Sequence, residues 1–440
     1  MNGTTLLLFK ERYFLPLFLT QFFSAFNDNA FKLGMLTLIS FYLSMSQPQS
    51  EFYQLLAGIL FIIPFFIFSA TAGQLADKYD KAQLIRIIKL AELILIAIGS
   101  VGFYLGNVLI LMVILLFMGI HSTFFGPIKY AILPDHLPGH KLLAATALIE
   151  GGTFIAILLG TILGTIAVSG SGIGSLLAIF LISAVAVSGF YSCFYIPSAP
   201  PVMASLKIDW HLWRATLGML KTVVTNKGVT AAILAISWFW LIGGVVITKL
   251  PDYVNYVLHA NTRVFAVLLA LFSIGITTGS IAISQALKGH LRLKFVPFIM
   301  LSMSLFAGDL FWATPNDTNL ESLSVYDFYS NFSHWRVSLD LFLLAFCGGL
   351  FIVPLYTYLQ LASEDGFRAS TIAANNIINA LFMVAGIIIV MILLYLNLTI
   401  PQVFLILAIL NICFVLLLWR SFNNRLVYLN DPSHIENKKS

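Results

Sequence analysis

Only three cysteines occur in 440 residues, Cys193, Cys347 and Cys413. They stand far apart inside apolar stretches, which excludes a disulfide framework and a paired-cysteine metal site. Charged residues make up 10% of the chain, against roughly a quarter in soluble domains, so an ordinary water-exposed surface is excluded too. No basic patch is interleaved with aromatics, so the net charge of +5 gives no support for a nucleic-acid partner. A His-x-x-x-x-Asp acyltransferase signature is absent, because the first acid after His334 is Asp340. No metal, cofactor or catalytic residue is expected. Lys10 and Arg12 lead into a long apolar run without a short signal core or small-residue cleavage site, so the first span is expected to be retained.

What the chain has in abundance is apolar length. Hydrophobic residues reach 59%, and the mean hydropathy is +0.94. Windows of about 20 apolar residues, enough to cross about 30 Å of hydrocarbon as helix, recur throughout. Only helices satisfy the backbone there in a chain of this pattern. The expected spans are 14–43, 52–76, 83–106, 107–133, 141–168 and 174–196, then 228–257, 263–286, 292–315, 336–361, 370–396 and 400–422. The fold class is therefore an all-α integral membrane protein with twelve transmembrane helices in two six-helix bundles. The first bundle is 1–196, the linker 197–227, the second bundle 228–422 and the tail 423–440.

Lys and Arg set the orientation, because they collect on the cytoplasmic side of short loops. When the spans are assigned alternately, nineteen of the 24 basic residues fall at one face, among them Lys10, Arg12, Lys78, Lys81, Arg86, Lys89, Lys141, Arg368 and Arg420. Both termini and the linker are thus expected in the cytoplasm, and the basic balance reflects topology and anionic inner-leaflet lipid. Within the linker, Trp213, Leu217 and Leu220 recur at helical spacing, as in an amphipathic helix lying on a membrane surface. The sequons at Asn316 and Asn331 fall in the longest outer loop and carry meaning only if the source is not bacterial.

The halves read as a repeat. Gly73-Gln-Leu-Ala-Asp77-Lys78 follows the second span, and Gly279 to Lys294 follows the eighth. Likewise, Gly119 to Tyr130 in the fourth span aligns with Gly348-Gly349 to Tyr358 in the tenth. Parallel repeats of this kind suit two bundles rocking about a site at the midplane.

Ionisable groups inside the spans are costly and so point to a pathway. Asn27-Asp28-Asn29 and Lys32 lie in the middle of the first span. Asp28 and Lys32, at i and i+4, either neutralise one another or, with the asparagines interrupting the helix, present polar groups to a zwitterionic headgroup. In that second reading Asp28 receives the ammonium. Lys129 either snorkels to the interface or meets a phosphate, with Glu150 holding it when the site is empty. His121 is read as a core residue or a proton relay, and Glu92 and Asp309 as ion-coupling groups near span ends. In the second half Tyr356, Tyr358, Gln360, Asn375, Asn376 and Asn379 bring polar groups without charge, and Trp238, Phe239 and Trp240 either pack or flank an acyl chain. Gly73, Asp77 and Lys78 are assigned to conformational gating, Asp77 capping a helix or pairing with a base.

The Gly73 to Lys78 loop resembles the inter-helix motif of the major facilitator superfamily. More specific are Phe18 to Lys32, Phe125-Gly126-Pro127-Ile-Lys129-Tyr130, Glu150-Gly151-Gly152-Thr153-Phe154 and Gly160-Thr161-Ile-Leu-Gly164. Together they resemble the lysophospholipid transporter branch of that superfamily, which also supplies the membrane domain of proteins fused to an acyltransferase and acyl-ACP synthetase. The resemblance covers the whole transporter region, with its distinctive motifs in the first half. It implies a substrate such as lysophosphatidylethanolamine, moved by alternating access to the cytoplasmic leaflet of the bacterial inner membrane. No acyltransferase follows residue 440, so a separate acyltransferase or acyl-ACP synthetase is the expected partner. The competing readings are a proton-coupled transporter of a polar metabolite or drug, with Asp28 or Glu150 as proton carrier, a membrane-embedded lipid enzyme, and a protein that only binds lipid.

Overall fold

A computed structural model describes residues 4–43, 47–169, 175–201, 203–315 and 322–424. The sequon at Asn316, Arg425, Lys438, Lys439 and the tail from 425 onward lie outside the described residues. Among the described residues, twelve long helices carry the chain. Six precede the linker: α1 (Leu15–Phe41), α2 (Gln47–Lys78), α3 (Lys81–Leu105), α4 (Val108–Ala131), α5 (Gly139–Ser169) and α6 (Leu176–Cys193). Six follow it: α7 (Lys227–Asp252), α8 (Thr262–Leu287), α9 (Val296–Ala313), α10 (Phe332–Ala362), α11 (Arg368–Tyr395) and α12 (Ile400–Asn424). Each matches one predicted span with ends displaced by a few residues, some extended, as α2 by Gln47 to Glu51, and some shorter, as α6 and α9.

Ten helices among the described residues are long and apolar enough to cross a membrane. The other two long ones, α1 and α3, carry the buried polar cluster described below. Local chemistry sets several helix starts. Asp80 caps α3 by accepting from the amides of Ala82 at 2.8 Å and Gln83 at 3.1 Å. Asn107 caps α4 through the amide of Ile110, directly after Gly106 ends α3 at a φ of 62°. Asn226 and Asn261 cap α7 and α8 in the same way. Each cap satisfies amides that a helix start leaves unpaired.

The chain divides into two compact units. One comprises residues 1–145, 152–223 and 363–377, and the other comprises 146–151, 224–362 and 378–440. Inside the first, α2 packs on α4, and α3 and α1 pack on α6; inside the second, α10 packs on α8, α9 and α7. The repeat read from the sequence recurs in this packing. A Cβ added to Gly119 on α4 would come within 2.7 Å of the Phe61 carbonyl on α2, and one added to Gly349 on α10 within 2.2 Å of the Ile276 carbonyl on α8. Small residues at these equivalent places let paired backbones approach closely, as membrane helices require.

The linker contains a helix, Leu212–Thr225, whose Ala215, Thr216, Met219 and Val223 turn inward. Trp213 and Leu217 on its other side are 66% and 57% exposed.

Candidate functional site

The first unit holds a polar cluster in its apolar interior, built by α1, α3 and α4. Ser24 and Asn27, one turn apart on α1, are both buried. Lys89 and Glu92, one turn apart on α3, are 0% and 1% exposed and form an ion pair. Lys89 Nζ also donates to Ser24 Oγ at 2.9 Å. Glu92 collects further donors, from Ser24 Oγ at 3.1 Å and Asn27 Nδ2 at 3.3 Å. His121 Nε2 on α4 lies 3.1 Å from Glu92 Oε2. The carboxylate is thus met from three helices, as a buried charge requires.

Asp28 points from α1 to α4, where Ser122 Oγ donates to its Oδ2 at 2.5 Å. Lys32 does not pair with it. Its Nζ instead stands over the Phe61 ring of α2, 5.3 Å from the centroid, a cation–π contact. Nor do the asparagines interrupt the helix, since α1 runs unbroken through them. The physical reason is that the polar side chains find partners without releasing backbone: Asn29 Nδ2 donates to Ala25 O at 2.8 Å, while Asn27 and Asp28 reach neighbouring helices. Asn27 Oδ1, Asp28 Oδ1 and His121 Nδ1 are among the buried polar atoms without a described hydrogen-bond partner.

The sequence reading placed Lys89 at the cytoplasmic face and Glu92 near a span end. Both are buried inside α3, because the ion pair and the Ser24 and Asn27 contacts hold them there. Lys89, Ser24 and Ser122 were absent from the expected site. Lys89 and Ser24 had a signal in the i, i+3 spacing of Lys89 with Glu92 and of Ser24 with Asn27; Ser122, whose partner Asp28 is 94 residues away, had none.

The other expected residues are distributed differently. Lys129 on α4 is half-buried with its Nζ over the Tyr130 ring at 4.9 Å, in the first unit. Glu150 is buried in the second unit, within the α5 segment 146–151. Tyr356 on α10 accepts from Trp240 Nε1 at 3.2 Å. Tyr358 lies elsewhere, its hydroxyl against Gly228 at the start of α7. Two residues apart on a helix point about 200° apart, so these tyrosines do not share one face.

Asp77, at the end of α2, caps α11. Its carboxylate oxygens accept from the amides of Ala369 and Ser370, each at 2.9 Å. Gly73 permits the approach, since a Cβ there would lie 2.8 Å from both Ala373 Cβ and Ser370 Cα. Beside it, Lys81 Nζ meets Asp135 at 2.8 Å, and Asp135 meets Arg368 at 3.1 Å. Lys78 takes no part and sits over the Tyr79 ring at 5.6 Å.

A sequence model of the Major Facilitator Superfamily matches residues 17–333. The chain belongs to that superfamily. Relatives within it include the lysophospholipid transporter LplT of Photorhabdus laumondii, 27% identical over 350 residues that cover 78% of each chain. The LplT of Salmonella heidelberg is 26% identical over 389 residues, covering 82% of this chain and 83% of the relative. Solved major facilitator structures share the fold at low identity. The human organic anion transporter MFSD10 superposes with a TM-score of 0.77 at 13% identity, over 92% of this chain and 99% of that one. The proton:xylose symporter XylE gives 0.69 at 13% identity, over 92% and 94%. The protein is thus an all-α, multi-pass membrane protein of the major facilitator fold, and its curated relatives are transporters.

Proposed function

We propose that this chain moves lysophospholipids, such as lysophosphatidylethanolamine, across the bacterial inner membrane to the cytoplasmic leaflet by alternating access. The observation that carries the reading is the pair of acceptors on α1, Asp28 Oδ1 and Asn27 Oδ1, that lack a described partner. An unmatched buried acceptor costs about 1–3 kcal/mol, and a lipid ammonium supplies the missing donor. The names of the Photorhabdus and Salmonella relatives support the same substrate class. In this reading Asn29 shapes the rim beside Asp28, and Lys129 meets the lipid phosphate. Asp77, with Gly73 and Lys78 in its loop, is a latch on α11 whose release accompanies conformational exchange. Both termini are cytoplasmic, in line with the Lys and Arg distribution. The chain performs no covalent chemistry, and re-acylation falls to a separate acyltransferase or acyl-ACP synthetase.

The test is inward movement of labelled lysophosphatidylethanolamine into proteoliposomes of purified protein, beside a diacyl lipid and a small polar solute. Selective lysolipid movement that disappears in Asp28→Asn supports the reading, whereas equal movement by the variant removes Asp28 from the site. A second reading, a proton-coupled transporter of a polar metabolite or drug, is favoured by the buried Lys89, Glu92 and His121 cluster, since ionisable groups inside a span mark an ion pathway. Solute uptake driven by an imposed pH gradient, without lysolipid movement, selects that alternative. Appearance of a new lipid species would select a membrane-embedded enzyme.

A further inference from the structure

The first unit contains a second polar feature, lined by its own residues about one helical turn from the Lys89 and Glu92 pair. A cavity of about 640 Å³ lies where the start of α1, the first turns of α3 and the end of α6 converge. Arg12 and Arg86 line it, together with Tyr191, Tyr195, Leu19 and Phe194. On α3, Arg86 stands three residues before Lys89 and six before Glu92, roughly 4.5 and 9 Å along the helix.

Its chemistry is one-sided. No acidic residue lines it. Neither arginine has a carboxylate partner among the described residues, and the nearby Glu11 is engaged by Lys141 at 2.6 Å. Arg86 Nη2 donates to Ile196 O at 3.3 Å, but its Nε is buried and has no described acceptor. A buried guanidinium N–H without an acceptor is unfavourable, and a planar fork of this kind suits a phosphate. The far wall differs. Phe194 and Tyr195 are 53% and 54% exposed, on the surface of a chain whose exposed faces are apolar, and Tyr191 and Tyr195 join hydroxyls at 2.5 Å. Aromatic side chains with wet tips and apolar bodies are typical of the headgroup level of a bilayer. A free phosphate would fill a small part of the volume and leave the apolar wall unmatched.

We propose that this cavity binds the anionic headgroup of a phospholipid, with the phosphate between Arg12 and Arg86 and the first acyl segments along Leu19 and Phe194. The lipid is a resident ligand distinct from the transported substrate, and it ties the ends of α1, α3 and α6 together. Its assignment to the inner leaflet rests on the orientation proposed above; the binding itself does not.

The experiment measures binding to the purified full-length chain in detergent through the rise of its thermal-unfolding midpoint. Phosphatidylglycerol, phosphatidylcholine and soluble sn-glycerol 3-phosphate are titrated separately, since a ligand that binds only the folded state raises the midpoint. Phosphatidylglycerol is expected to bind about tenfold more tightly than phosphatidylcholine, and Arg12→Gln/Arg86→Gln to weaken it by about tenfold or more, as loss of hydrogen bonds to a charged group predicts. Arg86→Lys is expected to restore part of the affinity. Arg12 is exposed and precedes α1, so Arg12→Gln by itself leaves folding intact and is expected to weaken binding by about threefold or more. Equal affinity for the two lipids, or unchanged affinity in Arg12→Gln and in the double variant, overturns the site. Glycerol phosphate binding as tightly as phosphatidylglycerol overturns the lipid assignment in favour of a soluble anion. Transport does not enter the readout, so failure here leaves the lysophospholipid reading untouched, and failure of that reading leaves this one standing.

Discussion

Replacing Lys89 by Met tests whether the cluster on α1, α3 and α4 is held by a true buried ion pair. Lys89 and Glu92 are 0% and 1% exposed, so the near-zero worth of surface ion pairs does not apply. Removing one member of a buried pair typically destabilises by about 3–5 kcal/mol, because the other charge stays buried without compensation. After Lys89→Met, Glu92 keeps Ser24 at 3.1 Å, Asn27 at 3.3 Å and His121 at 3.1 Å, which soften the loss, so the lower end, about 3 kcal/mol, is expected. The double variant Lys89→Met/Glu92→Leu replaces both charges by apolar groups and is expected within about 1 kcal/mol of the parent, since apolar replacement of a buried pair is often neutral or stabilising. The two single changes therefore combine far from additively. Equilibrium unfolding in mixed micelles, followed by tryptophan fluorescence, gives all four corners of the cycle. A Lys89→Met loss below about 1 kcal/mol, or an additive double variant, would refute the reasoning.

Three further outcomes are expected. Asp28→Asn abolishes lysolipid uptake in proteoliposomes while leaving the unfolding midpoint near that of the parent, because Asn still accepts from Ser122; unchanged uptake argues against the ammonium site. Asp77→Ala removes the cap from α11, which weakens that helix start by about 1–2 kcal/mol; hydrogen exchange at the Ala369 and Ser370 amides accelerates accordingly, and unaltered exchange contradicts the latch. Burial pushes the Asp80 carboxyl up, but hydrogen bonds from Ser198, Gln83, Ala82 and Ala199 outweigh it and hold the group below its ordinary value of 3.8. A depressed carboxyl contributes its stability above the unfolded value and loses it as pH falls through the folded one. Protection at the α3 start, measured against the intrinsic exchange rate at each pH, is therefore steady from pH 7 to about 5 and falls below about 4, and Asp80→Asn removes that acid step; a step that persists in the variant refutes the assignment.

Much of the architecture was legible because its signal is local. Twelve long runs, ten of them apolar enough to cross hydrocarbon on that ground alone, mark twelve helices without reference to one another. The acidic and amide group on α1 was legible for the opposite reason, as polarity where apolarity is the rule. The glycines at 119 and 349 gave the repeat, since only small residues fit where backbones meet.

Partnership was not legible in the same way. Asp28 and Lys32 stand at ideal spacing for an ion pair, yet Asp28 takes Ser122, 94 residues away, and Lys32 takes an aromatic face. Lys89 carried the mark of a cytoplasmic charge and proved to be the buried partner of Glu92, while Asn27 reaches that same carboxylate across 65 residues. The sequence by itself determined which segments are helices and which residues are too polar for their surroundings, because both follow from the transfer free energies of neighbouring side chains. Which of those polar groups meet was decided by tertiary structure alone, since the rotation of each helix about its axis is set by the packing of every other side chain on it.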